Sequence, residues 1–78
     1  MATEIGEPVK VMALFDPDIK PVKFRWHERV YPVKDVTYTW RSSEGEADIV
    51  HFSVTDGASV YELSYNKKTM KWRLEQVE

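Results

Sequence analysis

The sequence predicts a small all-β domain, and three observations lead to this prediction. Apolar residues alternate with polar ones along most of the chain, which is typical of strands that bury one face. Turn-forming residues separate these alternating stretches at short intervals. The chain has 78 residues, enough for one domain only. We therefore predict a five- to six-stranded antiparallel meander that forms a strongly bent sheet or an SH3-like barrel.

The alternation predicts six strands within a single β domain over residues 9–78, preceded by a flexible N-terminus over residues 1–8. A helix over 65–78 is the alternative for the end of the chain, but the spacing of Met70, Trp72 and Leu74 favours a strand. The predicted strands are Val9–Phe15, Val22–His27, Tyr31–Trp40, Ala47–Thr55, Ser59–Tyr65 and Met70–Val77.

Local signals indicate how the strands are joined. Asp56-Gly57 is a strong hairpin signal. The turn after Trp26 contains His27-Glu28 and lacks the Asn-Gly or Asp-Gly pair of a two-residue hairpin. The apolar phase changes from odd to even positions near Lys34-Asp35, which predicts a β-bulge there.

The predicted core consists of the residues in phase with this alternation. Trp40 ends its strand beside a polar loop, so partial exposure is expected there. The expected inward residues are Val9, Val11, Ala13, Phe15, Val22, Phe24, Trp26, Tyr31, Val33, Val36, Tyr38, Trp40, Val50, Phe52, Val54, Tyr61, Leu63, Tyr65, Met70, Trp72 and Leu74.

Composition narrows the class of protein. The chain has no Cys, so disulfides and thiolate metal sites are excluded, and three Trp, four Tyr and three Phe must supply much of the core. The N-terminus lacks the basic and apolar regions of a secretory signal, and no apolar run approaches the ~20 residues that span a bilayer. We expect a cytoplasmic protein without a membrane partner.

Charge is segregated along the chain. Residues 20–41 contain six basic and two acidic residues, whereas residues 42–66 contain five acidic residues and no Lys or Arg. Small barrels bind single-stranded nucleic acid with basic grooves that carry aromatic residues. The candidate nucleic-acid-binding residues are Lys23, Arg25, His27, Arg29, Lys34 and Trp40.

The alternative interpretation is a solvated basic face that pairs with the acidic strands. It is favoured by the sequence pI of about 5.7, because dedicated nucleic-acid-binding domains usually have a pI above about 9.

No motif predicts catalysis, a metal or a cofactor. His27 and His51 lack the companion ligands of a zinc site, and the serines form no Gly-x-Ser-x-Gly elbow. Both histidines are interpreted as ordinary surface residues, and we expect a non-enzymatic chain.

Two sets of residues, most of them core positions, form a pattern that covers much of residues 21–74. They are Pro21, Val22, Phe24, Arg25, Trp26, Arg29, Tyr31, Val33, Val36 and Trp40, then Val60-Tyr61-Glu62-Leu63 and Lys71-Trp72-Arg73-Leu74. This pattern resembles a small bacterial family of unknown function, whose domain occurs alone or associated with proteins related to translesion DNA polymerases. One departure is His27-Glu28, where that family has Gly. The resemblance implies a shared fold and a DNA-repair context, with no functional residues to transfer.

The sequence leaves three functional hypotheses open. The first is weak binding of single-stranded nucleic acid through the basic face. The second is a protein-interaction module that docks acidic partners or adds a partner's strand to a sheet edge. The third is a structural homodimer formed by edge pairing, so the chain is expected to be a monomer or a weak homodimer.

Overall fold

A computed structural model describes residues 2–15 and 17–78 of the chain, and these residues form one antiparallel sheet with seven strands. The all-β prediction is confirmed. The strands are β1 (Thr3–Phe15), β2 (Ile19–Trp26), β3 (Arg29–Pro32), β4 (Asp35–Glu44), β5 (Ala47–Thr55), β6 (Val60–Asn66) and β7 (Lys71–Val77).

The strand order in the sheet is β3-β2-β1-β7-β6-β5-β4. β1, the third strand in this order, is long enough to pair with β7 through its first half and with β2 through its second half. Residues Thr3–Pro8, which the sequence analysis places outside the β domain, belong to β1. β1 thus joins a three-stranded part (β1, β2 and β3) to a part formed by β1, β7, β6, β5 and β4.

The strand count and the closure differ from the prediction. The single strand predicted over Tyr31–Trp40 is two strands, β3 and β4, which lie at opposite ends of the sheet. The change of partner occurs between Val33 and Lys34: the Val33 N–H donates to Val22 O at 2.9 Å, and the Lys34 N–H donates to Thr55 O at 2.8 Å. The phase change expected near Lys34-Asp35 is therefore a change of partner strand from β2 to β5. The sheet stays open instead of closing into a barrel. A register shift also lies slightly later, between Val36 and Tyr38.

Three aromatic rings hold the two parts of the sheet together. The Phe24 ring stacks on Tyr31 and packs edge-on against Tyr61, with both centroid distances at 5.2 Å. Tyr31 of β3 lies 5.5 Å from Tyr61 of β6. Since β3 and β6 are distant in the strand order, these contacts show that the sheet folds over its own core.

The predicted core is confirmed at nine positions, eight of them in the second half of the chain. The buried members that were predicted are Phe24, Val50, Phe52, Val54, Tyr61, Leu63, Tyr65, Trp72 and Leu74. Trp26 is only half-buried.

Four residues expected in the core lie elsewhere. Tyr38 is 66 % exposed and Trp40 lies on the outer face, because pairing with His51 sets the phase of β4. Met70 is 72 % exposed, since its positive φ of 60° makes it the end of a turn. Phe15 is 56 % exposed at the end of β1, where its ring packs edge-on against Tyr65 of β6.

The β2–β3 hairpin has an unusual turn for its residues. His27 and Glu28 have φ values of 49° and 65°, so both occupy the left-handed region that a type I′ turn requires. Non-glycine residues pay a steric cost there, on the order of 1 kcal/mol each.

We expect that replacing His27-Glu28 with Asn-Gly stabilises the protein by about 1–2 kcal/mol, because these residues adopt positive φ with less strain. Urea denaturation would measure the free energy of unfolding, and the single variant Glu28→Gly should give about half the gain. A loss of stability would mean that the contacts of His27 with Trp26 and Glu7 outweigh the backbone strain.

Candidate interaction surface

The outer side of β1, β2 and β3 carries basic and apolar side chains together. The register places Lys10 opposite Arg25 and Met12 opposite Lys23, while Arg25 also faces Val30 on the other side. We call this surface the cationic–apolar face. Its residues are Lys10, Met12 and Leu14 of β1, Lys20, Lys23 and Arg25 of β2, and Val30 and Pro32 of β3.

Strand alternation explains why these side chains point outward. Val9, Val11 and Ala13 pack against the core, so the residues between them face solvent. The register between β1 and β2 shifts after Met12. Met12 pairs with Lys23, whereas the next residue, Ala13, pairs with Pro21. This irregularity keeps Lys20 and Lys23 exposed while Pro21 and Phe24 are buried.

The exposed apolar side chains of this face are large. Met12 is 57 % exposed, Leu14 is 59 % exposed and Val30 is 60 % exposed. A shallow groove of about 490 Å³ runs between Met12 and Val30, with Lys10, Lys23 and Arg25 along it. Clustered apolar groups rimmed by polar ones are typical of interaction surfaces, whereas single exposed apolar residues are ordinary.

The face is electrostatically one-sided. Its charged residues are four cations, Lys10, Lys20, Lys23 and Arg25, and it includes no carboxylate side chain. Within residues 2–15 and 17–78, none of these four cations forms a salt bridge. The cations therefore remain available to a negatively charged ligand.

The structure brings together two of the six candidate residues predicted from the sequence, Lys23 and Arg25. His27 lies at the turn, where its ring stacks on Trp26 and its Nε2 is 3.4 Å from Glu7 Oε1. Arg29 lies over the Tyr31 ring, with its guanidinium carbon 5.4 Å from the ring centroid.

Lys34 and Trp40 are separated from the other candidates. Lys34 lies at the β3–β4 junction, where its side chain is next to Gly57. Trp40 stacks on His51 on the outer face of β4, at the opposite end of the strand order from β3. The last strand, β7, pairs with β1 and β6, so its exposed cations Lys71 and Arg73 lie beside the first half of β1 and not beside β2.

Sequence reasoning missed Lys10, Met12, Leu14 and Val30 as surface partners of Lys23 and Arg25. Met12 and Leu14, which alternate with the predicted core residues of the first strand, are both exposed. The alternation of β1 already puts Lys10, Met12 and Leu14 on one side. The alternation does not show which strand lies next to β1. Because that strand is β2, this side of β1 adjoins the basic side of β2.

A polar network on the other part of the sheet surrounds His51. Ser42 Oγ and His51 Nε2 form a hydrogen bond of 2.7 Å, and His51 Nδ1 lies 3.5 Å from Glu62 Oε2 without forming a hydrogen bond. Gln76 Nε2 donates to the other oxygen of Glu62 at 2.9 Å. These side chains come from β4, β5, β6 and β7, and His51 is a half-buried structural residue instead of an ordinary surface histidine.

The order serine, imidazole, carboxylate resembles a nucleophile with its base and orienting acid. A nucleophilic serine also needs nearby free N–H donors for the developing oxyanion. Ser42 is opposite Ile49, two residues from the Glu44–Ala47 pair that closes a two-residue hairpin, so its own N–H is used by the ladder with β5. This placement favours a cross-strand stabilising role for the network.

The fold and this surface define a class, namely a small open-sheet β protein with an exposed cationic–apolar face. Comparison of the chain with protein-family models, curated proteins and solved structures gives no match. The resemblance to a bacterial family therefore stays a prediction. In the part of the chain that the structure describes, no helix could cross a membrane. No group of three or more His, Cys, Asp or Glu residues there could hold a metal ion.

Proposed function

We propose that this chain is a non-enzymatic protein-interaction module. Its cationic–apolar face would bind an acidic segment of a partner protein that also carries apolar side chains. The observation that carries the proposal is the clustering of exposed Met12, Leu14 and Val30 among cations that have no salt-bridge partner in the described part of the chain. A protein partner supplies both of the groups that this surface accepts, carboxylates and aliphatic or aromatic side chains.

Apolar burial and charge would have different effects on this complex. Covering apolar surface contributes about 25 cal/mol per Å², so Met12, Leu14 and Val30 together would supply most of the affinity. Exposed cations at the rim contribute less affinity and act mainly on the association rate and on the choice of partner. We therefore expect weak binding with a dissociation constant of about 10–100 µM and moderate salt dependence.

Single-stranded nucleic acid is the second candidate ligand, and the four cations of the face support it. Sequence-tolerant binding of single strands also uses aromatic rings on which bases stack, each worth about 1–3 kcal/mol. Phe15 lines the groove but packs edge-on against Tyr65. The exposed apolar side chains Met12, Leu14 and Val30 are aliphatic, and Trp40 lies on β4. This difference favours a protein partner.

The test compares three labelled probes by fluorescence anisotropy at low and moderate salt. The probes are an acidic peptide with spaced Leu and Phe residues, a peptide of equal charge with Ser in their place, and an oligothymidylate. We expect only the first peptide to bind with an affinity that survives moderate salt.

Variants of the face locate the binding. The double variant Leu14→Ser/Val30→Ser should weaken binding of the apolar acidic peptide about tenfold, because about 1.4 kcal/mol of apolar contact is lost. Lys23→Glu/Arg25→Glu should weaken it at least as much. Lys34→Glu/Lys68→Glu is the charge-matched control with no expected effect, because neither lysine lies on the face. Oligothymidylate binding that is insensitive to Leu14 and Val30 would overturn the proposal in favour of nucleic acid. Absence of binding by every probe would overturn both candidates.

A further inference from the structure

The two edges of the sheet differ in how they are protected. β3 is a four-residue edge strand that ends in Pro32, which has no N–H to donate. β4 is ten residues long and contains no proline, and within residues 2–15 and 17–78 it pairs with β5 alone. Long unprotected edges are templates for pairing with another strand.

Hydrogen-bond alternation identifies which backbone groups of β4 are free. The β4–β5 hairpin turns at Gly45, whose φ of 61° at the first central position is typical of a type II′ turn closed by the pair Glu44 and Ala47. Closing pairs are hydrogen-bonded, and bonded pairs alternate with unbonded ones along an antiparallel ladder. The backbone groups of Thr39, Arg41 and Ser43 therefore point to the free edge.

Backbone hydrogen bonds on both sides of β5 agree with this assignment of the free groups in β4. The Lys67 N–H donates to Asp48 O at 3.0 Å on the β6 side, and the Lys34 N–H donates to Thr55 O on the β4 side. Even-numbered residues of β5 thus bond toward β6 and odd-numbered ones toward β4. The odd-numbered residues of β5 pair with even-numbered residues of β4, as His51 does with Trp40. The even-numbered residues of β4 therefore bond to β5, and its odd-numbered residues do not.

We propose that β4 pairs antiparallel with β4 of a second copy of this chain, about a two-fold axis at Trp40. In this register Thr39 of each copy forms hydrogen-bonded pairs with Arg41 of the other, and the two Trp40 side chains face each other. Opposed side chains of an unbonded pair approach closely, with Cα atoms about 4.5 Å apart, which suits an aromatic pair.

Neighbouring two-fold registers are less favourable. An axis at Arg41 places two guanidinium groups opposite each other, and like charges in that position are destabilising. An axis at Thr39 brings the next bonded pair to Thr37, where the ladder of β4 is already irregular. The Trp40 register places Arg41 opposite Thr39 and Tyr38 opposite Ser42, and it forms two bonded pairs before Thr37 is reached, where the Thr39 register forms one.

The pairing doubles the sheet and extends an existing aromatic stack. Trp40 already stacks on His51, with centroids 5.1 Å apart and planes 5° apart, and on Tyr38 at 5.5 Å. The cationic–apolar face belongs to the strands at the other end of the order, so each copy keeps it free. The dimer would present two such faces, and a partner with two acidic segments would gain avidity.

Sedimentation equilibrium from about 5 µM to 1 mM tests the dimer on the full chain without any ligand, so its result is independent of the proposed function. A short edge interface is expected to give a dissociation constant in the micromolar range, roughly 10–500 µM. Hydrogen exchange followed by NMR should show slowing of the Thr39 and Arg41 amides with concentration. The Trp40 and Ser42 amides, which bond to β5, should exchange at unchanged rates.

Two pairs of variants locate the interface. Arg41→Pro removes a free-edge N–H and should weaken dimerisation at least tenfold, whereas Arg41→Ala keeps the N–H and should dimerise like the native chain. Trp40→Lys opposes two ammonium groups and should abolish the dimer, whereas Tyr38→Lys, opposite Ser42, should retain it. A fold check by circular dichroism accompanies each variant, and the exchange experiment decides if Arg41→Pro unfolds. A monomer at every concentration, or a dimer unaffected by Trp40→Lys, would overturn the proposal.

Discussion

Phe24→Ala is expected to lower the free energy of unfolding by about 3–5 kcal/mol, the usual range for removing a buried phenyl ring. Phe24 is 1 % exposed. Its ring contacts Tyr31 of β3 and Tyr61 of β6, so it joins the three-stranded part to the rest of the sheet. Since small domains are stable by only about 5–10 kcal/mol, the variant should be close to unfolding at 25 °C.

Urea denaturation followed by tryptophan fluorescence measures this loss. Tyr38→Ala is the matched control, because it removes an aromatic ring of similar size that is 66 % exposed, and a loss below about 1 kcal/mol is expected. Equal losses for the two variants would contradict the packing described around Phe24. Loss of peptide binding in a still-folded Phe24→Ala would show that this ring also positions the cationic–apolar face.

Asp56→Ala is expected to cost about 1–2 kcal/mol, the range for losing a side chain that caps free backbone N–H groups. Asp56 Oδ1 accepts the N–H groups of Ala58 and Ser59, both at 2.9 Å. Its Oδ2 accepts the Tyr61 hydroxyl at 3.1 Å. These bonds organise the loop between β5 and β6, which the Asp56-Gly57 signal of the sequence predicts.

The same contacts make stability depend on pH. The N–H of Ser59, followed by that of Ala58, holds the pKa of Asp56 below its ordinary value. An aspartate with a lowered pKa contributes stability that is present above the unfolded-state pKa, near 3.9, and is lost as pH falls through the folded pKa. The Asp56 contribution should therefore be intact at pH 6 and decline below about pH 4.

Asp56→Asn tests this pH dependence, because it keeps the Oδ1 acceptor and removes the charge. Urea unfolding at several pH values between about 6 and 2.5 should show the variant losing less stability on acidification than the native chain. Two curves that run parallel over this interval would contradict the role given to the Asp56 carboxylate. On the other side of the pair, burial raises the pKa of Tyr61, so that its hydroxyl stays protonated as the donor at neutral pH.

The two proposals concern opposite ends of the strand order. Face binding uses side chains of β1, β2 and β3, whereas dimerisation uses backbone groups of β4. The two sites share no residue, so a variant of one is expected to leave the other unchanged. Measuring dimerisation of Lys23→Glu/Arg25→Glu, and peptide binding of Trp40→Lys, would verify this independence.

The second half of the fold could be predicted from the sequence because its pairing is local. β5, β6 and β7 follow one another, and each pairs with the strand next to it in the chain. Alternation then suffices to place Phe52, Leu63 and Leu74 in the core, and the strand predicted over Ala47–Thr55 has the observed bounds of β5.

Predictions failed where a strand pairs with one that is distant in the sequence, or where one side of the strand is an edge of the sheet. Tyr38 has the spacing of a core residue, yet β4 is an edge strand whose phase is set by its pairing with β5. The candidate site was half-predicted for the same reason: Lys23 and Arg25 are exposed by their own alternation, while Met12 joins them only because β1 lies beside β2.

The sequence by itself thus determined an all-β chain, the alternation of each strand and the exposed cations of β2. Only the tertiary structure decided that the strand predicted over Tyr31–Trp40 divides at Val33 and Lys34, that β1 bridges β2 and β7, and that β4 keeps a free edge. The physical reason is that side-chain alternation is a property of one strand, whereas strand order depends on contacts between residues far apart in the chain.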